Sequence, residues 1–310
     1  PGPFGISGPF QIVRAADRSI AEIFERDNGH TVVIVNKPGD LVNVSTWVKT
    51  GSLNETDDIS GISHFLEHLM FKGTPSHPAG EFDRTIEAMG AVVNAATWKD
   101  YTFYYVTLPK GKNNKNFYKA VELHADMMLN ALIPQEEIGP VFNFDNETPS
   151  EKRERYVVIE EIKMRDDQPW SKTYNTLNSI MYTAHPYKKD VIGTEQIIAQ
   201  MPRDIIYNYY KERYSSKNFI TIIVGGIDTQ EAFNTVENNF VFENIREAEI
   251  QQFKREPEQS EPRLVENKAN INTGFAMMGF HGPKASELKA SIALDMLSII
   301  LGEGKSSRLY

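Results

Sequence analysis

Residues 62–71, Ile-Ser-His-Phe-Leu-Glu-His-Leu-Met-Phe, place Ile62, Phe65, Leu66, Leu69 and Met70 at helical spacing, so one face of a short helix is apolar and suited to burial. Gly73 and Pro75 stop that helix. The same stretch carries His64 and His68 at i and i+4, projecting from one face, with Glu67 on the adjacent flank. Two imidazoles so spaced can grip one ion. The plain alternative is a solvated helix face with two idle histidines. The apolar positions around them count against it, because imidazoles on a buried helix need partners.

Working outward, residues 31–35 (TVVIV) and 41–50 (LVNVSTWVKT) are β-branched runs separated by the turn-rich residues 36–40, which predicts a hairpin of two paired strands. Downstream, a helix is expected over 82–89, ending at Gly90, followed by strands at 91–96 and 102–108 on either side of Trp98-Lys-Asp100. Residues 117–131 read as helix. An irregular insert follows at 139–150, then a helix over 153–165 with Val157, Val158 and Ile162 to one side. Further helices are expected at 171–181, 195–200 and 203–214, with a buried strand at 219–225 (FITIIVG). Strands before and after a block of helices define an α+β fold, a mainly antiparallel sheet packed with a layer of helices.

Residues 249–263 (EIQQFKREPEQSEPR) are poor in apolar side chains and rich in charge and proline, the composition of a linker. It divides a first domain, 1–248, from a second unit, 264–310. There a strand is expected at 272–280 and an apolar helix at 286–301, followed by Gly302-Glu-Gly304. That order of strand, loop, helix and glycine repeats the order of residues 41–73 without the histidines, so a degenerate second copy, cut off at Tyr310, is expected. The opening PGPFGISGP has neither an initiator Met nor a signal pattern and is set aside.

The composition narrows function. With 40% hydrophobic and 24% charged residues and no apolar run of about 20, the 310-residue chain reads as globular with no membrane span. A net charge of -9 with scattered Lys and Arg leaves no footprint for nucleic acid. The absence of Cys excludes disulfides and thiolate ligation, so a metal must be held by His, Asp, Glu or carbonyl oxygen; the compartment stays open. A catalytic zinc takes three protein ligands and keeps a fourth position open. The best supply of the third is the acidic run 154–161, in which Glu154 and Glu161 lie two turns apart on one face and Glu160 is rotated away. Either Glu161 or Glu154 satisfies that requirement.

These residues resemble the pitrilysin/insulinase family of metallopeptidases, especially the branch containing the mitochondrial processing peptidase and its bacterial relatives. Residues 61–74 (GISHFLEHLMFKGT) are similar to the family's signature block, which is an inverted zinc-peptidase motif. Asn94-Ala-Ala-Thr97 with Asp100, Thr102 and Tyr104 resembles its substrate-strand block, 154–161 its acidic helix, and His185-Pro-Tyr187, Ile192-Gly-Thr194 and 219–225 its later stretches.

The resemblance implies tandem homologous halves and one Zn²⁺ per catalytic domain, held by His64, His68 and Glu161, with Glu67 as general base. It further implies that Glu154 orients a ligand from behind, and that Asn94 and Ala95 lie on an edge strand to which a peptide substrate adds itself. The expected activity is endoproteolysis of short or unfolded polypeptides, in a chamber closed by a homologous second half or a partner chain in a dimer. Two departures stand out. The interval from His68 to Glu161 exceeds the family's usual spacing, and the substrate-contacting Arg and Tyr of the family's second half would fall beyond the helix at 286–301. The competing expectations are a non-catalytic or partner-dependent subunit of a two-chain complex, and a metal-binding module without hydrolysis.

Overall fold

The β-branched runs assemble into one sheet. In the computed structural model, which describes residues 11–14 (backbone), 19–243, 245 and 251–310, the strands are β1 (Gln11–Arg14), β2 (Ile20–Glu25), β3 (Thr31–Asn36), β4 (Leu41–Val48), β5 (Val92–Thr97), β6 (Thr102–Pro109) and β7 (Phe219–Gly225). They form a seven-stranded sheet in the order β1-β2-β3-β7-β4-β6-β5. Every neighbouring pair is antiparallel except β3 with β7. The mainly antiparallel α+β expectation therefore holds.

The expected hairpin does not. β3 and β4 are separated by β7, whose Ile222 faces Val33 on one side and Ser45 on the other. Turn residues at 36–40 reverse the chain but do not dictate adjacency. The central strand β7 needs hydrogen-bonding partners along both edges, and β3 and β4 supply them. β1 and β2 extend the sheet where no strand was expected.

The helices are α1 (Ile62–Leu69), α2 (Glu81–Ala88), α3 (Lys115–Asn130), α4 (Gln135–Ile138), α5 (Glu154–Asp166), α6 (Pro169–Met181), α7 (Glu195–Gln200), α8 (Arg203–Arg213), α9 (Thr229–Asn239) and α10 (Leu288–Gly302). α1, α3 and α9 pack on the sheet, and α5 and α8 pack on α1. Val42, Val44, Val48, Tyr104 and Val106 are fully buried on the sheet face that takes the helices, each aliphatic contributing roughly 1.5–3 kcal/mol of burial. The opposite face carries a half-buried aromatic row in which Trp47 stacks on Phe103 with centroids 4.5 Å apart.

Two devices set the entry of α1. Gly61 has φ +92°, and a Cβ there would lie 2.5 Å from the Ile192 carbonyl oxygen; one on Gly193 (φ +79°) would lie 2.3 Å from that of Ser60. The two backbones touch, and only glycine permits it. The buried Glu55 carboxylate accepts the N–H groups of Gly61 (2.8 Å) and Ser63 (2.9 Å), satisfying donors that the first turn leaves open. Burial outweighs those bonds and pushes the Glu55 carboxyl up to about 7.

On α5 the buried apolar residues are Val158, Ile159 and Ile162, whereas Val157 is 44% exposed. The expected apolar face is corrected by a rotation that turns Val157 outward and Ile159 in. Buried Arg155 donates to the carbonyls of Ile198 and Gly139, tying the irregular insert and α7 to this helix.

The apolar helix expected at 286–301 is α10, but 272–280 forms no strand among the described residues. Its pattern suits a strand, yet it joins no ladder among the described residues and instead lies against α6, where Phe275 meets Trp170 with centroids 6.1 Å apart. Within the charged stretch, Glu256 accepts the N–H groups of Thr183, Ala184 and His185. The boundary expected at 248/249 lies outside the described residues, as do the first nine. Among the described residues no helix is long and apolar enough to cross a membrane.

Candidate metal centre

α1 presents His64, Glu67 and His68 toward β5 and α5, and α5 brings Glu154 and Glu161 across from them. Glu161 Oε2 lies 3.6 Å from His64 Nε2 and 3.5 Å from His68 Nε2. Donor atoms about 2.0–2.2 Å from a tetrahedral zinc sit about 3.3–3.5 Å apart, so the three are spaced as ligands of one ion would be. Among the described residues, this is the group of three whose ligand atoms lie together, all within 4.8 Å.

The donor set also fits on chemical grounds. His64 Nδ1 is buried without a hydrogen-bond partner, and His64 Nε2 has only the distant Glu161 oxygen. Nε2, which makes no hydrogen bond among the described residues, faces Glu161 and is the nitrogen that an ion would partner. His68 differs, since its Nδ1 lies 3.1 Å from Glu154 Oε2, and Glu154 Oε1 is in turn 2.7 Å from Lys72 Nζ. Glu154 thus stands behind the His68 ring, where it orients Nε2 toward Glu161. Glu160 turns away, 2.8 Å from Lys163.

The two rings differ in proton affinity. Burial, aided by the neighbouring His68, lowers the His64 pKa to about 4. For His68 burial also works against charge, but the hydrogen bonds to Glu154 and Glu161 prevail and raise its pKa to about 9. At neutral pH His64 is therefore neutral and His68 carries an extra proton as imidazolium, while Glu161 is kept ionised by its bond to that ring.

A metal must displace that proton. Zinc affinity is expected to rise about tenfold per pH unit between pH 6.5 and 8.5, with a slope near one because His64 is already neutral, and to level off near pH 9. The raised pKa also gives a metal-free stability contribution, full below about 6.5 and lost as pH climbs through about 9. Competitive zinc titrations across this range check the slope; Glu154→Gln should bring the plateau to lower pH, and a slope near two would contradict the assignment.

Glu67 Oε2 accepts a hydrogen bond from Thr97 Oγ1 on β5. Burial raises its pKa, against the pull of Thr97 and His68. Glu67 is outside the three-residue group and lines the same cavity, of about 400 Å³.

Ala95 lines this cavity and, with Asn94, a neighbouring hollow of about 500 Å³. Both residues lie on β5, the last strand of the sheet, and Asn94 Oδ1 accepts the Ala95 N–H at 2.9 Å. The structure thus brings His64, Glu67, His68, Glu161 and Ala95 to one cavity, with Glu154 and Asn94 beside it. Sequence reading assigned no role to Thr97 or Lys72. Lys72 follows His68 by four residues, and that spacing, beside an acidic partner helix, was the available signal.

A seven-stranded sheet under helices, with an inverted His-x-x-Glu-His helix facing an acidic helix, has the architecture and motif of the inverted-zincin class, and comparison with known proteins agrees. The chain belongs to the insulinase family (peptidase family M16), which matches residues 31–195; residues 200–310 match the M16 inactive domain. It is similar to the zinc protease PqqE of Helicobacter pylori, 35% identical over 289 residues, covering 91% of this chain and 61% of that protein. The uncharacterized zinc protease YmxG of Bacillus subtilis is 30% identical over 290 residues, covering 91% and 64%. The crystal structure of a protease from Helicobacter pylori superposes with a TM-score of 0.77 at 30% identity, covering 93% of this chain and 67% of that one. The chain therefore spans about three fifths of the length of these curated relatives.

Proposed function

We propose that this chain carries the catalytic site of a zinc metalloendopeptidase acting on short or unfolded polypeptides. The observation that supports this most is the approach of His64 Nε2, His68 Nε2 and Glu161 Oε2 to one point, with the carboxylate of Glu67 free of that trio and lining the same cavity. Zinc held by these three side chains would lower the pKa of a bound water to about 7 and polarise a peptide carbonyl.

Glu67 takes the water's proton as the carbonyl is attacked and returns it to the leaving amine. Its raised pKa suits both halves of that transfer, and the Thr97 hydroxyl fixes the oxygen that is not engaged. Glu154 and Lys72 hold the His68 ring in orientation. The edge strand β5 offers its open side to an extended peptide, which pairs through main-chain hydrogen bonds past Asn94 and Ala95. Residues 1–248 form the catalytic domain, 249–263 a connection, and 264–310 the start of a homologous unit. A second half or partner chain completes the chamber.

The test is hydrolysis of a quenched fluorescent peptide, with zinc measured on the same sample. One zinc per chain, activity abolished by a chelator and restored by zinc is the expected result. Full activity in the metal-free protein would overturn the reading, and zinc bound without turnover, even with a homologous partner added, would leave a metal-binding module.

A further inference from the structure

The cleft beside the metal centre has an uneven charge lining. Arg165 follows Glu161 by one turn of α5, a rise of about 6 Å, and lines the same cavity as His64, Glu67 and His68. Its Nη2 donates to Asp190 Oδ1 over 3.4 Å, a long contact, whereas Asn175 Nδ2 donates to Asp190 Oδ2 at 2.6 Å. A guanidinium carries five N–H donors, and among the described residues that long bond is the one it makes. The other cations along the cleft are committed. Lys99 Nζ donates to the carbonyls of Tyr187 (2.6 Å) and Lys189 (2.8 Å), and Lys72 is held by Glu154.

From this geometry we infer that Arg165 receives a carboxylate of the peptide substrate, carried within two residues of the bond cut, and so makes the enzyme selective for an acidic group there. The inference rests on the peptidase reading above. An extended peptide advances about 3.3 Å per residue, so a side chain one or two residues from the metal reaches a group one helical turn away. A carboxylate can replace the long Asp190 contact with a forked, two-bond pairing, while Asp190 keeps its bond to Asn175. The carboxylate has two sources, an Asp or Glu side chain or the free C-terminus of a short peptide.

The experiment walks a single Glu, Gln or Lys through the two positions on each side of the bond cut, in otherwise identical amidated peptides; a parallel pair of neutral peptides differs only in a free or amidated C-terminus. The expected result is a preference of about tenfold or more in kcat/KM for Glu over Gln at one position, or for the free acid, carried mainly by KM. The first outcome identifies a side chain as the source and the second the chain terminus. The same ranking should appear in the Kd values of the Glu67→Gln protein, which reads binding without turnover. Arg165→Gln should abolish the preference and Arg165→Glu invert it toward Lys, with zinc content unchanged as the check that the site is intact.

Equal cleavage of Glu, Gln and Lys peptides with no effect of the free acid overturns the inference alone, as does a preference that survives Arg165→Gln. Absence of both zinc and cleavage removes the peptidase reading and this inference with it.

Discussion

Replacing Glu67 by Gln is expected to lower kcat by about 10²–10⁴-fold, the range a positioned acid–base group supplies, while zinc content stays at the unsubstituted level. Gln keeps the size of the side chain and an oxygen that can still accept from Thr97, so the α1–β5 contact that holds residue 67 is preserved. What is lost is the capacity to take and return a proton. KM should change little, because the main-chain pairing proposed on β5 does not use this carboxylate. Parallel measurement of steady-state kinetics and bound zinc decides the matter. Loss of metal would place Glu67 among the ligands, and activity within a few-fold of normal would remove it from the chemistry.

The second large effect separates the two acidic residues of α5. Removing a carboxylate that only orients a ligand costs about 10–100-fold in metal affinity, and Glu154→Gln should fall in that range. Glu161→Ala should cost more, because it deletes a donor atom 3.5–3.6 Å from both imidazole nitrogens and leaves only two of the three proposed ligands. Zinc competition with a chromophoric chelator ranks the two variants. The reverse ranking would make Glu154 the ligand and Glu161 the supporting group.

Part of this arrangement is legible in local pattern. Helical period places His64 and His68 on one face, Glu67 on its flank and Glu160 away from Glu154 and Glu161, because a helix fixes angular relations between near neighbours whatever surrounds it. The strands expected at 219–225 and 102–108 read directly from their runs of β-branched, apolar and aromatic residues. Longer-range relations were less legible. The turn at 36–40 suggested a hairpin, yet the intervening strand comes from far along the chain, and no local signal records that. Val157 is expected on one apolar side with Val158 and Ile162, but a helix wheel gives relative angles and not which way the helix is rolled; packing on α1 and α7 sets the roll and leaves Val157 exposed. The apolar run 272–280 has strand composition but finds no strand partner among the described residues, and a strand exists only by pairing.

The choice between Glu154 and Glu161 shows where the division falls. Sequence alone determined that α5 offers two carboxylates on one face and that α1 offers two imidazoles on one face, since both follow from 3.6 residues per turn. Only the tertiary structure decided that Glu161 meets the two Nε2 atoms while Glu154 meets Nδ1 from behind and is clamped by Lys72. That outcome depends on the angle and offset at which two helices pack, and those are set by side chains throughout the core and by the glycine contact at Gly61 and Gly193.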